Sequence, residues 1–375
     1  MTTSVGDYYI GIMSGTSLDA IDVALVSIKD NKTQLVSAIE APFEHELREQ
    51  LLTLCTDGHV HLKALGELTV KLSLAYSDAV NLLLSHHKVS SEQVLAIGCH
   101  GQTVFHSPEG KYPFSMQLIN ASVLTANTGI TTVSDFRSMD IALGGQGAPL
   151  VPTFHQSLVN NTNPNAVFLN IGGIANVSLI NGDNLTGFDT GPGNVLMDGW
   201  MQQKFGLKYD DNGTLAKQGI IIEPLLMAMI NDDYFHKKGV KSTGREYFNL
   251  SWLTLHLTQF SNTYPEQVVR NEDVLATLVM LTAKTIANAL MHLSNTVVYV
   301  CGGGAKNSYL IEKLNDLLPN SQVTTTKSLN VDPDYVEAMA FAWLAYRCIT
   351  KQTANDCAVT GASRKAVLGQ ITYNS

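Results

Sequence analysis

The chain has 375 residues, 45% of them hydrophobic, which is enough apolar material for two cores and for a ligand cleft between two lobes. Its formal charge of −9, with lysines and arginines scattered, offers no basic stripe for a nucleic-acid backbone, so nucleic acid is excluded as an expected partner. The five cysteines Cys55, Cys99, Cys301, Cys348 and Cys357 are odd in number and never form a Cys-x-x-Cys pair, which fits a reduced compartment.

The N-terminus has neither the basic start nor the apolar run of a signal peptide, and no later stretch reads as long and apolar enough to span a bilayer. A cytoplasmic protein without membrane contact is expected. In such an acidic chain a phosphate-bearing ligand must be met locally, by backbone amides and a divalent cation.

In chain order, apolar β-rich runs at 8–13 and 21–28 flank the turn Ser14-Gly15-Thr16-Ser17, and a third follows at 35–39, predicting a sheet that opens on hairpins. Leu62, Leu65, Leu68, Leu72, Ala75, Ala79 and Leu82 recur at helical spacing. A short strand at 95–99 runs into His100-Gly101-Gln102. From Thr131 the pattern restarts with a strand, the loop ALGGQGAP and a helix from near Pro152. Three strands follow in AVFLNIGG, ANVSLI and LTGFDTG, then a long helix at 272–293. The strand TVVYVCGGG, a helix from near Asn307, the strand VTTT and the helix VEAMAFAWLAYRC complete the chain. The recurrence of hairpin then helix predicts two related α/β lobes: 1–130 with a tail of about 346–375, and 131–345.

Four segments carry chemistry. In IGIMSGTSLDAIDVAL a turn of small residues lets backbone approach phosphate oxygens, with Thr16 and Ser17 as hydroxyl donors and Asp19 placed to anchor magnesium, directly or through water. FLNIGGIANVS repeats the device at Gly172 and Gly173. In VVYVCGGGAKNSYL a strand ends on Gly302, Gly303 and Gly304 before a helix, which suits an adenosine or ribose; GGGAKN lacks the G-x-G-x-x-G spacing of a dinucleotide site. In FDTGPGN, Asp189 at a strand end beside glycines suits a general base, or else the cap of the following turn. Each hairpin read alone is equally an ordinary tight turn. In SDFRSMDIALGGQGAP, Asp135, Arg137 and Asp140 surround a further glycine loop, where Arg137 could grip a carboxylate or could simply belong to a salt-bridged loop.

His100 and His106 are not at metal-ligand spacing and read as loop or core histidines; Cys99 reads as a buried structural thiol. Met197, Met201, Met227 and Met229 read as core filler.

Taken together, GIMSGTSLDAIDVAL, CHGQTVFH, SDFRSMDIALGGQGAPLVP, LNIGGIANVS, FDTGPGN and CGGGAKN resemble the anhydro-N-acetylmuramic acid kinases of bacterial cell-wall recycling, in order from about residue 8 to about 345. That family lies in the actin, hexokinase and heat-shock chaperone ATPase superfamily. The resemblance implies two ribonuclease-H-like lobes of mixed sheets flanked by helices, with ATP, magnesium and a small sugar in the cleft between them. It further implies a phosphotransferase acting on an alcohol, which opens the 1,6-anhydro ring with water and phosphorylates the freed oxygen on carbon six.

Carried over by motif, Asp189 would activate the water. Gly15, Thr16, Ser17, Leu18, Asp19, Ala20, Ile21 and Asp22 would hold phosphates, together with Gly172, Gly173, Gly302, Gly303, Gly304 and Asn307. Asp135, Arg137 and Glu337 would lie on the sugar side, although Glu337 could also face solvent on its helix. One departure stands out: Ala20 occupies a position where the family commonly has glycine. Two alternatives share the fold: a kinase of another small sugar or carboxylic acid, and a non-catalytic nucleotide-switched scaffold. Oligomeric state is left open, a homodimer included.

Overall fold

The computed structural model describes residues 8–374 apart from 16, 17, 31, 160–162, 164, 238–240 and 242. Its strands are β1 (Tyr8–Ser14), β2 (Ala20–Lys29), β3 (Lys32–Pro42), β4 (Val94–Cys99), β5 (Gln102–Ser107), β6 (Phe114–Leu118) and β7 (Thr132–Ser134). There follow β8 (Asn165–Ile171), β9 (Ile174–Asn181), β10 (Asn184–Pro192), β11 (Thr296–Cys301), β12 (Ser321–Thr325) and β13 (Gln370–Thr372). The chain divides into two units, one running to Leu158 and resuming at Asn330, the other Val159–Leu329.

This division corrects the boundary expected at 130 and the return expected near 346. The strand after Thr131 does not open the second unit: β7 pairs in parallel with β4 of the first sheet. The Ala-rich helix Val336–Ile349 likewise packs on β1, β2 and β4. Strand pairing and helix packing overrode the local restart of the pattern.

The first sheet has the order β13-β7-β4-β1-β2-β3, the second β10-β9-β8-β11-β12. In each, an antiparallel three-strand meander continues through its first strand into two parallel strands. This is the ribonuclease-H-like order twice over, and the recurrence expected from the sequence is present at the level of topology.

Two glycines position the Ala-rich helix. Gly11 of β1 and Gly98 of β4 are cross-strand partners, and the helix backbone lies directly on them. A Cβ on Gly11 would fall 1.7 Å from the Ala338 carbonyl oxygen, and one on Gly98 would fall 2.0 Å from that of Phe341. The alanines of VEAMAFAWLAYRC supply the matching low relief on the helix side.

On the opposite flank, the helix Leu62–His87 buries Leu68, Leu72, Tyr76, Ala79, Val80 and Leu83. Its inner face is rotated from the expected stripe: Leu62 and Leu82 are 82% and 44% exposed, because Tyr76 and Val80 pull the buried arc round. A helix at His45–Asp57 was not expected; its Leu47, Leu51 and Leu54 face the core.

In the second unit the helix Asn271–Leu290 runs through the core. It corrects the reading that no stretch is long and apolar enough for a membrane: by length and composition this one is, with mean hydropathy 1.3, and 78% of that window is buried within the protein. Its hydroxyls return to backbone, Thr282 donating to the Pro192 and Gly193 carbonyls at 3.0 Å each. That contact ties the end of β10 to the core. Met197, Met201 and Met229 are core residues as expected, whereas Met227 is exposed.

Candidate active site

In the first unit, Thr16 and Ser17 lie outside the described residues. Around them, β1 ends at Ser14, whose buried hydroxyl bonds Tyr76 Oη and Gln102 Oε1 at 2.8 Å each. The Leu18 amide donates to the Gly15 carbonyl at 3.1 Å, and Leu18 adopts φ 52° with its side chain fully buried. Burial of that leucine offsets the roughly 1–2 kcal/mol that a left-handed residue costs. Arg48, from the helix His45–Asp57, donates Nε to the Leu18 carbonyl at 2.9 Å and so braces the turn.

The left-handed position is therefore Leu18 and not Ala20, which opens β2 opposite Pro42 without a positive φ. The alanine at this family-glycine position meets no backbone strain. Asp19 is 76% exposed and stands 3.9 Å from Arg48 Nη2. Ile21 and Asp22 pair with Ser14 and Met13. Asp22 belongs to an electronegative patch with Glu40, Asp332 and Asp334, which helps to raise the Tyr335 hydroxyl behind desolvation as the main cause. Among the described residues no three of His, Cys, Asp or Glu converge as a metal-ligand set.

The second cluster of this unit joins residues far apart in sequence. Arg137 donates Nη2 and Nε to His100 Nε2 at 2.8 and 3.2 Å, and Nη1 to the Gly147 carbonyl at 3.0 Å. A guanidinium can only donate, so Nε2 carries the lone pair and His100 is the neutral Nδ1–H tautomer. Burial first, and the Arg137 charge second, push its pKa well below the usual value of 6.5.

Glu337 sits on the first turn of the Ala-rich helix, half-buried and not on an open helix face. Desolvation raises its carboxyl while the Arg137 charge opposes the rise; desolvation in turn lowers Arg137 to about 10. The two charges feel each other without a direct ion pair, so polar valence on both remains for a ligand. Asp135, also at positive φ, is engaged in the fold: its Oδ1 accepts from the Ser138 amide at 3.3 Å and its Oδ2 from Gln370 Nε2 at 2.7 Å. Asp140 is wholly buried and accepts from the Gly147 amide, Asn355 and Thr360, which fixes the glycine loop.

His100 is buried, as a core histidine would be, but it also holds Arg137, and the signal for that is its place in the turn leaving β4, beside the strand that leads to Arg137. Its neutrality has a measurable consequence. The unfolded chain takes up a proton at His100 below about pH 6.5 and the folded chain does not, so stability is full above that pH and falls as pH drops through the window below it. His155, lowered to about 3 by burial, adds to the same slope. The denaturant midpoint should fall between pH 7.5 and 5.5, and His100→Gln should flatten part of the fall; an unchanged slope in the variant would mean that His100 does not contribute.

In the second unit Asp189 does not end its strand. β10 continues to Pro192, and a bulge between Asp189 and Gly191 re-aims the local backbone, with Gly191 at φ 148°. A Cβ on Gly191 would lie 2.7 Å from Phe235. The Asp189 carboxylate accepts from the Thr243 amide through Oδ2 at 2.9 Å, its own amide donates to the Lys241 carbonyl at 2.9 Å, and its carbonyl accepts from Tyr234 Oη at 2.9 Å. Desolvation first and the Asp189 charge second raise the Tyr234 phenol, which keeps that donor protonated. Nothing local in sequence links residues 241–243 to Asp189.

Gly172 and Gly173 form the turn between β8 and β9. The Gly173 carbonyl accepts from the amides of Gly193 and Val195, at 2.8 and 3.1 Å, and the Gly172 carbonyl from that of Asn194 at 2.8 Å. The first turn of the helix Val195–Phe205 is thus bound to the hairpin. Gly302, at φ 75°, and Gly304 are required by packing, since Cβ atoms there would meet Asn170 Oδ1 at 2.3 Å and Ile171 Cγ2 at 2.4 Å. A Cβ on Gly303 would meet nothing nearer than Asn194 Nδ2 at 3.7 Å, so this glycine offers an approachable backbone. Asn307 caps the helix Ser308–Leu317, its Oδ1 accepting from the Leu310 amide at 3.0 Å.

The family model described as anhydro-N-acetylmuramic acid kinase matches residues 7–374. Proteins of that name are similar to this chain from end to end. The one from Pasteurella multocida (strain Pm70) is 47% identical, covering 97% of this chain and 96% of the relative. The one from Vibrio cholerae serotype O1 is 48% identical, covering 98% of each. The one from Sulfurovum sp. (strain NBC37-1) is 45% identical, covering 97% of this chain and 98% of the relative.

Proposed function

The chain belongs to the anhydro-N-acetylmuramic acid kinase family, and from that premise we propose how its residues divide an ATP-dependent reaction in peptidoglycan recycling. Water adds to the anomeric carbon of anhydro-N-acetylmuramic acid, the bond from that carbon to the bridging oxygen breaks, and the freed oxygen on carbon six takes the γ-phosphoryl group. ADP and N-acetylmuramic acid 6-phosphate are the products. The bridge ties the carbon that is attacked to the oxygen that is phosphorylated, so one bound geometry serves both steps.

Asp189 is the base that receives the proton of the attacking water. The observation that carries this assignment is the held carboxylate itself: Oδ2 is fixed by the Thr243 amide and the backbone by Lys241 and Tyr234, in register with Asn176, three positions beyond the Gly172-Gly173 turn. A base fixed in place loses little entropy in reaching its proton. Arg137 and Glu337 take the sugar side, with His100 holding the guanidinium. Asp135 and Asn307 act through the fold, as the turn anchor and the helix cap described above.

Residues 15–22, with the backbone at Gly172 and Gly173, meet the phosphates, and Gly303 meets the nucleoside. Asp19, exposed and 3.9 Å from Arg48, fits magnesium, which uses one or two protein carboxylates and takes its remaining ligands from phosphate and water. Bound there, the ion would supply charge neutralisation for the phosphates. With ATP as co-substrate, the reaction belongs to the cytoplasm.

The test is mass spectrometry of the product formed from anhydro-N-acetylmuramic acid and ATP in oxygen-18 water. Label at the anomeric hydroxyl together with phosphate on carbon six is the expected result. Phosphorylation of ordinary hexoses but not of the anhydro sugar would overturn the assignment.

A further inference from the structure

Beside the Gly172-Gly173 turn stands a cation with no role in the division above. A Cβ placed on Gly173 would lie 3.5 Å from Arg245 Nη2 and 3.6 Å from Arg245 Nε, so the guanidinium is in van der Waals reach of the turn. Among the described residues the Arg245 side chain makes no hydrogen bond and no ion pair; only its carbonyl is used, accepting from Asn249. In a chain of net charge −9 most cations can find a carboxylate, and the fold does not supply one here.

The neighbouring backbone explains the aim. The turn carbonyls are occupied by the amides of Gly193, Asn194 and Val195, so the electronegative side of the turn is covered and an anion can approach it. Arg245 also lies on the segment that holds the base, since Lys241 and Thr243 bond Asp189 from four and two residues upstream of it. One short stretch of chain therefore fixes the carboxylate that activates water and presents an arginine to the phosphate turn.

We infer that Arg245 is a catalytic residue that contacts the γ-phosphoryl group of ATP as it passes to the oxygen on carbon six, donating hydrogen bonds to its equatorial oxygens. This rests on the kinase reading above. Negative charge on those oxygens is shared along the reaction coordinate, and a planar guanidinium matches two of them at once where a lysine ammonium matches one.

The experiment compares the full-length chain with Arg245→Ala and Arg245→Lys, measuring sugar phosphorylation and the separate affinities for ATP and ADP in the presence of magnesium. Arg245→Ala should lower kcat/KM by about 10²–10³-fold, weaken ATP binding more than ADP binding, and regain turnover when guanidinium ion is added. Arg245→Lys should fall between the two. Because this side chain is exposed and makes no hydrogen bond or ion pair among the described residues, the thermal midpoint of both variants should match that of the parent. Turnover within about twofold of the parent, or equal weakening of ATP and ADP, overturns the assignment to the γ-phosphoryl group. Failure of the unsubstituted chain to phosphorylate the anhydro sugar would instead strike the kinase reading, so the two failures are separable.

Discussion

Asp189→Asn should lower turnover of the anhydro sugar by about 10²–10⁴-fold, the usual contribution of a positioned general base, while leaving ATP affinity within about twofold. The substitution is nearly isosteric, and an amide oxygen can still accept from the Thr243 amide, so the bulge and the hairpin keep their form. What is lost is the ability to take a proton. Because ring opening creates the oxygen that is phosphorylated, ADP release and sugar phosphate should fall together, and no ring-opened but unphosphorylated sugar should accumulate. Asp189→Ala removes the acceptor as well, and should add a structural loss visible in the thermal midpoint. Full sugar turnover in Asp189→Asn, measured by product mass, would place the base elsewhere.

What could be read from the sequence was whatever depends on near neighbours. The first hairpin, the Gly172-Gly173 turn and the strand ending on three glycines are each set by a run of apolar residues followed by small ones, and each is present where expected. The partition into units was not legible at its boundary, because β7 and the Ala-rich helix are assigned by what they pack on, and nothing within 131–158 announces the first sheet. The same limit applies at the site. Asp189 stood out as a carboxylate beside glycines, yet the atoms that hold it come from Tyr234, Lys241 and Thr243, and His100 reaches Arg137 only through the parallel arrangement of β4 and β7. Ala20 shows the converse: the position where the family commonly has glycine carries no positive φ, and the left-handed residue is Leu18, whose burial could not be judged from composition.

The Gly11 and Gly98 pair leads to the largest expected loss of stability. Gly98→Val should cost more than about 3 kcal/mol or prevent the first unit from folding, since its Cβ alone would sit 2.0 Å from the Phe341 carbonyl oxygen and that neighbour is helix backbone, which cannot rotate away. Gly11→Ala is the more informative change. Its added carbon would meet the Ala338 carbonyl oxygen at 1.7 Å, so the helix must retreat, and Glu337 lies one residue before the point of contact. A chain that still folds should therefore show a raised KM for the sugar with little change in KM for ATP, because the displaced carboxylate is the one proposed for the sugar side, within the field of the Arg137 charge. Gly66→Ala is the control: this glycine lies inside the helix Leu62–His87 with open space around it, and alanine there should stabilise by about 0.5–1 kcal/mol. Denaturant midpoints for the three variants, read beside the two KM values, give the comparison. An unchanged midpoint in Gly98→Val would show that the helix does not rest on this pair, and an unchanged sugar KM in a destabilised Gly11→Ala would separate the helix position from the substrate side.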